Sequence, residues 1–367
     1  MRIVIVSFSL LLITFNLLNG SVATFDHLIS DCRQTDDTIP VPGVLTVAGV
    51  GDIMMGTSFP SKKYLPPGNN PLRLIEELLD SLSKPDITFG NLEGSFLDYG
   101  EAFKLCRDTN ICYLFRMPES YASVLDTAGF DFISLANNHF GDFGPPGADR
   151  TRKLLDSLGI GYAGPVENPY SIIEKDSVTY GFCAFSNTLG SNSMGESDKA
   201  AAIVRYLKDT CDIVIVSFHG GAEGSDYQRV VREDEIFYGE NRGNVYDFSH
   251  KMIDSGADII FGHGPHVSRA VELYNDRLIC YSLGNFCTYG RFNITGPNGI
   301  APLMKVNIDI TGRFISGRII PVYQGSDGIV RLDTQLRVIK KIRELTALDF
   351  PETALEITDE GEIIHKQ

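Results

Sequence analysis

Residues able to hold a divalent metal ion recur in this chain directly after short apolar runs. Asp52 follows the run in LTVAGVGDIMMG, Asn91 and Glu93 lie in ITFGNLEG, and Asn138 and His139 lie in FISLANNHFGD. Further along, His219 closes IVIVSFHGG, His263 and His266 sit in IIFGHGPH, and Asn285 sits in ICYSLGNF. Carboxylate, imidazole and amide oxygens form a donor set suited to manganese, iron or zinc. An ion held by such groups makes a bound water a competent nucleophile near neutral pH. An unligated imidazole beside it can pass a proton to a leaving group. The chemistry these residue types point to is metal-assisted hydrolysis at one N/O site.

Each motif alone has an ordinary structural reading. Turns use Gly-Asp without any ligand, Glu93 could cap a helix, and one histidine after an apolar run is commonly a hydrogen-bonded core residue. Asn137-Asn138-His139 is more demanding, because two amides and an imidazole at a buried strand end must be hydrogen-bonded or ligated. His263-Gly264-Pro265-His266 places two imidazoles three apart on a proline-stiffened loop. The repetition at successive strand ends favours one shared site.

Those strand ends require a particular architecture. Strands are predicted at Val44 to Val50, Asp86 to Phe89, Phe130 to Ala136, Ser171 to Glu174, Val178 to Ser186, Ile213 to Phe218, Asp258 to Gly262 and Arg277 to Leu283. Helical spacing runs through Pro71 to Leu82, Pro118 to Ala128, Ala148 to Leu158, Ala200 to Lys208, Val245 to Ser255 and Leu332 to Leu345. Leu303 to Pro321 reads as a β-hairpin turning at Thr311-Gly312. Alternating strands and helices give an α/β fold with parallel pairing in the core, where sites form at the carboxyl ends of strands. No repeat or low-complexity linker divides the chain, so one domain is expected from 43 to 345, with a C-terminal tail at 346–367.

The chain has 367 residues, 43% hydrophobic and 22% charged, so a long disordered segment is not expected. The net charge of −15 argues against general nucleic-acid binding, which relies on cationic surface to displace counterions. Met1-Arg2, the apolar run Ile3 to Leu18 and Ser21-Val22-Ala23 read as a signal peptide over residues 1–23 cut before Thr24, or as an uncleaved N-terminal anchor. Either places the body outside the cytoplasm. In that compartment Cys106 and Cys112 are expected to close a short disulfide loop. Cys183, Cys211, Cys280 and Cys287 lie in apolar runs and read as buried small hydrophobes. Asn293-Ile294-Thr295 fits a glycosylation acceptor, of consequence only in a eukaryotic secretory route.

GNLEG, ANNH, HGGAE, GHGPH and SLGNF, in this order, resemble the capsule-synthesis CapA or poly-γ-glutamate (PGA_cap) family, which is related to the calcineurin-like metallophosphoesterases. The resemblance runs from Gly51-Asp52 to Ser282-Leu283-Gly284-Asn285-Phe286, and Tyr113-Leu114-Phe115-Arg116-Met117-Pro118 after the paired cysteines is similar to a stretch of some members. It implies a four-layer sandwich of two mixed sheets flanked by helices, with one or two divalent ions held by Asp52, Glu93, Asn138, His219, His263 and His266. Glu93 stands at the position of the bridging aspartate, and His139 at that of the acid or transition-state donor. Two departures stand out. The phosphoesterase pattern Asp-x-His is Asp52-Ile53-Met54 here, and the final motif is His-Gly-Pro-His rather than His-x-His. The function implied is extracytoplasmic and belongs to capsule or poly-γ-glutamate biosynthesis, with a hydrolase-type site acting on a phosphoester or on an amide of an anionic polymer. The alternative is a non-catalytic, polymer-binding accessory to a membrane complex for synthesis and export, and a third reading keeps the residues as a polar network only. Arg107, Arg116, Arg269 and Arg291 are the candidates to line an anionic groove.

Overall fold

Apolar runs closed by glycine or by a polar residue become strands, and the amphipathic segments between them become helices. The computed structural model describes residues 43–105 and 113–366. In chain order the strands are β1 Val44–Met54, β2 Ile87–Leu92, β3 Ser95–Phe96, β4 Arg116–Met117, β5 Phe132–Ser134, β6 Gly161–Ala163, β7 Tyr170–Lys175, β8 Val178–Ser186, β9 Ile213–His219 and β10 Ile236–Phe237. They continue as β11 Glu240–Asn241, β12 Ile259–His263, β13 Val271–Tyr274, β14 Arg277–Cys280, β15 Asn285–Thr288, β16 Ile300–Asp309, β17 Phe314–Gln324, β18 Val330–Leu332, β19 Leu355–Ile357 and β20 Glu362–His365. The helices are α1 Leu79–Ser83, α2 Ser123–Thr127, α3 Gly144–Leu158, α4 Ser197–Thr210, α5 Val245–Asp254 and α6 Arg337–Asp349.

Two mixed sheets result. The larger runs β19-β20-β17-β16-β1-β2-β5-β6, with β15 also pairing β1 and β18 pairing β17. Its β1, β2, β5 and β6 are parallel neighbours, and β16 and β17 continue it antiparallel. The smaller runs β13-β14-β12-β9-β8-β7, parallel through β8, β9, β12 and β14, with antiparallel edges. Strands such as β9, buried along its whole length, read as continuous apolar runs because both faces are covered.

The sheets pack face to face through Phe89, Phe132, Phe182 and Phe261, all fully buried. Phe89 stacks on Phe261 across the interface at 5.3 Å. Each such ring contributes about 1.5–3 kcal/mol of burial. Outside the larger sheet lie α1, α2 and α3, and outside the smaller lie α4 and α5. The order helix, sheet, sheet, helix is the four-layer α/β sandwich.

Some boundaries differ from expectation. The 71–82 stretch is a series of 3-10 turns leading into α1, and its Leu72, Ile75, Leu78 spacing of three suits a helix with three residues per turn. Helix α3 starts four residues early, because Pro145 and Pro146 are tolerated in a first turn, and it stops at Gly159 with φ +71°. The segment beyond 345 is no free tail: α6 runs to Asp349, and β19 and β20 extend the larger sheet through pairing with β17. Leu355, Ile357 and Ile363 are buried in the inter-sheet core. Cys183, Cys280 and Cys287 are free and buried, with burial pushing the Cys287 thiol up to about 12. The predicted leader at 1–23, Cys106, Arg107 and Cys112 lie outside the described residues. No helix among the described residues is long and apolar enough to cross a membrane.

Candidate metal centre

Strand register brings the motifs together. Asp52 pairs with Asn91 on β2 and with Asn285 on β15, while His263 pairs with His219 across β12 and β9. The carboxyl ends of both sheets therefore open on one rim. Gly51 makes this possible: a Cβ there would lie 2.0 Å from the carbonyl oxygen of Gly284, to which the Asp52 amide donates at 2.9 Å.

Asp52 is fully buried. Its Oδ1 accepts from Asn91 Nδ2 at 2.9 Å and lies 3.2 Å from His263 Nδ1, and its Oδ2 lies 2.8 Å from His266 Nδ1. Glu93 is equally buried, with Oε1 2.9 Å from His219 Nε2 and 3.3 Å from Asn91 Nδ2. Asn91 thus joins the two carboxylates and is itself held by Asn137 Nδ2 at 3.1 Å. Ligand atoms of Asp52, Glu93 and His266 lie within 4.8 Å of one another, close enough to hold one ion.

Of the residues read from strand ends, the structure joins Asp52, Glu93, His219, His263 and His266 in one contact network. Asn138 is half-buried and stands at the edge, sharing a cavity wall with His219. Among the described residues, three of the six expected ligands have a buried atom with no hydrogen-bond partner: Glu93 Oε2, His263 Nε2 and Asn138 Oδ1. Leaving such atoms unpaired in a protein interior is costly. These are lone-pair donors, and the O/N set suits a divalent ion of the manganese, iron or zinc type.

Electrostatics point the same way. Burial, reinforced by the charge of Asp52, pushes Glu93 up to about 7. Burial opposes ionisation of Asp52 too, but His263 and His266 hold its carboxyl far below the usual range. Burial pulls His219 down to about 4, which keeps the imidazole neutral with a lone pair to donate. His266 is pushed up to about 10, since Glu93 and Asp52 outweigh the burial that disfavours its charge. Two buried carboxylates side by side resist joint ionisation, and a cation between them relieves both.

His139 sits apart from this network. Its Nδ1 lies 2.9 Å from Asp142 Oδ2, and its ring packs on Phe115 at 4.3 Å. Asp142 also accepts the Phe115 amide at 2.9 Å. The backbone around His139 is set by Asn137 Oδ1, which takes the amides of His139 and Phe140 at 3.0 Å each. Asn137 is thus the turn-maker of its motif. His266 adopts φ +57°, a conformation uncommon for histidine. Its carbonyl is pinned by Asn285 Nδ2 at 3.2 Å and Asn298 Nδ2 at 3.1 Å, so Asn285 serves as a buttress.

Sequence reasoning passed over Asp142, three residues after His139, although a carboxylate at that offset was visible in the motif. It also passed over Glu223 of HGGAE, whose charge acts on Glu93, His219 and His266. Arg242 pairs with Glu223 at 3.0 Å, and with Lys104 it lines a cavity of about 490 Å³ beside Asn138 and His219. The arginines named from sequence fare differently. Arg269 lines no groove: it is fully buried in a two-bond pair with Glu235. Arg116 packs over Phe59 and Phe143, and Arg291 over Tyr64 and Tyr113. Met54 is fully buried in the apolar core, away from any ligand role.

The fold and the rim define a four-layer α/β sandwich with a buried Asp-Glu-His cluster at the carboxyl ends of its strands. The chain belongs to the family described as bacterial capsule synthesis protein PGA_cap, whose model matches residues 46–289. It is 30% identical over 261 residues to the capsule biosynthesis protein CapA of Bacillus anthracis, covering 66% of this chain and 59% of that protein. It is 28% identical over 320 residues to the PGA biosynthesis protein CapA of Bacillus subtilis (strain 168), covering 83% of this chain and 78% of that one. Among solved structures it is similar to a 5'-nucleotidase precursor from Thermus thermophilus, with TM-score 0.41 and 12% identity over 76% of this chain and 54% of that one. A likeness that distant says nothing about chemistry.

Proposed function

We propose that this protein serves capsule or poly-γ-glutamate biosynthesis outside the cytoplasm, through a metal-dependent hydrolase-type site. The observation that carries the site is the set of orphaned donors, Glu93 Oε2, His263 Nε2 and Asn138 Oδ1, on a rim where Asp52, Glu93 and His266 already converge. The biological setting rests on family membership and on the names of the relatives. The compartment rests on the apolar run Ile3 to Leu18.

Asp52, Glu93, Asn138, His219, His263 and His266 would hold one or two divalent ions. A bound divalent ion supplies Lewis acidity toward the scissile group and an acidified water. The chain's own residues do the rest. Asp142 fixes the His139 ring through Nδ1, which leaves Nε2 to hold a proton and hand it to a leaving oxygen or nitrogen. Asn91 keeps Asp52 and Glu93 in fixed relative positions, so both carboxylates are preorganised as ligands without rearrangement. The substrate is an anionic polymer or a phosphoester.

A non-catalytic role in binding polymer, as an accessory to a membrane complex for synthesis and export, is favoured by one observation. Met54 stands where phosphoesterases carry a ligand histidine, and it is spent on core packing. Elemental analysis of the purified protein beside D52A and H266A tests the main reading. One to two equivalents of a transition metal in the wild type, lost in both variants, is expected. A metal-free wild type after growth in supplemented medium would leave the accessory role as the better account.

A further inference from the structure

We infer that the cavity beside His219 is a carboxylate-reading subsite for an amide-linked anionic chain, and that Arg242 reads it. The inference rests on the proposed reactive centre at Asp52 and Glu93, since the cavity shares His219 and Asn138 with that centre. Its volume of about 490 Å³ is in the range of small-ligand sites. Its remaining walls come from three separate segments: Lys104, Asn187 to Leu189, and Glu240 to Arg242 at the end of the β10–β11 hairpin.

The guanidinium of Arg242 is already aimed. Nη1 lies 3.0 Å from Glu223 Oε1, and Glu223 in turn acts on the candidate ligands. Nη2 lies 3.2 Å from Glu240 Oε2, and Nε is buried with no acceptor among the described residues. Nε and Nη2 together form the side-on fork that takes a carboxylate through two parallel bonds. One prong of that fork is orphaned. The other is paired with Glu240, whose side chain is 71% exposed and so makes a weak, solvated pair. An incoming carboxylate can displace Glu240 and satisfy both prongs, whereas the ion pair of Nη1 with Glu223 stays in place.

The base of the hairpin is rigid enough to preorganise this arrangement. The Arg242 amide donates to Glu235 O at 2.7 Å, and its carbonyl accepts from the Gly221 amide at 2.9 Å. Glu235 is clamped by the fully buried Arg269 through two bonds of 2.7 Å. A second cation, Lys104, lines the same cavity from a different loop while donating to the Asn138 carbonyl at 3.1 Å. Two cations on separate segments suit carboxylates spaced along a chain better than one compact phosphate. Asn187 and Asn241 line the same cavity, and their side-chain amides hold its wall together by bonding to Gly195, Asp234 and Gly243.

The test is calorimetric titration of the metal-loaded full protein with a γ-linked glutamate hexamer and with the same hexamer methylated at its carboxylates. The wild type should bind the hexamer and not the ester. R242Q should weaken binding by about tenfold or more, the worth of a charge-assisted two-bond contact, with metal content unchanged. E240Q should tighten it, a gain that a damaged fold could not produce. Equal affinity in R242Q, equal affinity for the ester, no tightening in E240Q, or no hexamer binding by the wild type would each overturn the inference. Metal content read on the same samples tests the hydrolase reading separately. A metal-free protein that still binds the hexamer through Arg242 would remove that reading and leave the subsite.

Discussion

Asp142 and His139 form a unit that the ligand pattern alone does not reveal. The carboxylate is fully buried, receives the Phe115 amide and faces His139 Nδ1. Replacing it with asparagine keeps the shape and removes the charge that fixes the ring. D142N should retain its metal and lose about 10- to 100-fold in turnover of a chromogenic phosphodiester, in line with other partners that orient a functional histidine. Equal turnover in D142N and wild type would take His139 out of the proton-transfer role. At this level the sequence was informative about residue types and poor on partnership. His219, His263 and Asp52 announced themselves because polar groups after apolar runs are conspicuous. Arg242 and Glu223 did not, since an arginine near a glycine-rich turn is usually solvated, and only folding shows that its fork is half-engaged.

Among the elements, β1 and the lead-in to α6 show how much a single position can decide. Strand β1 passes so close to Gly284 that Gly51 has no room for a side chain, and the obstacle is backbone. G51A should cost at least about 3 kcal/mol in urea unfolding, because overpacking against a main chain cannot be relieved by a rotamer change. At the other end of the chain, Asp333 accepts the amides of Gln335 and Arg337 and the Arg337 guanidinium. Burial alone would raise its carboxyl, but those donors outweigh it and hold it below the usual range. A group depressed in the folded state stabilises above its unfolded pKa, near 4, and that contribution fades as pH falls through the folded value. D333N should therefore lose about 1 kcal/mol at pH 7, typical of a lost capping group. Its deficit against wild type should shrink on acidification below about pH 4; a constant deficit down to pH 2 would contradict the assignment. Long strands such as β9 and the β16–β17 hairpin were legible from apolar runs and a Thr-Gly turn. The closing strands β19 and β20 were not, because three- and four-residue strands flanked by charge carry too little periodicity, and their place is set by the open edge of β17.

Across the whole molecule, the rim is a seam. Asp52, Glu93 and Asn138 hang from the larger sheet, and His219, His263 and His266 from the smaller, so the two layers meet through their polar ends as well as their phenylalanines. A cation seated there would act as a rivet between the halves, quite apart from any reaction. Binding at about a hundred times its dissociation constant adds about 2.7 kcal/mol to the folded state. Chelation should then lower the thermal midpoint by about 4 °C for a domain of this size, and D52A should show no such drop. If the rivet holds the layers together, the same histidines remain worth keeping in a lineage that has given up turnover, and their retention there is a mark of mechanical duty rather than of surviving catalysis.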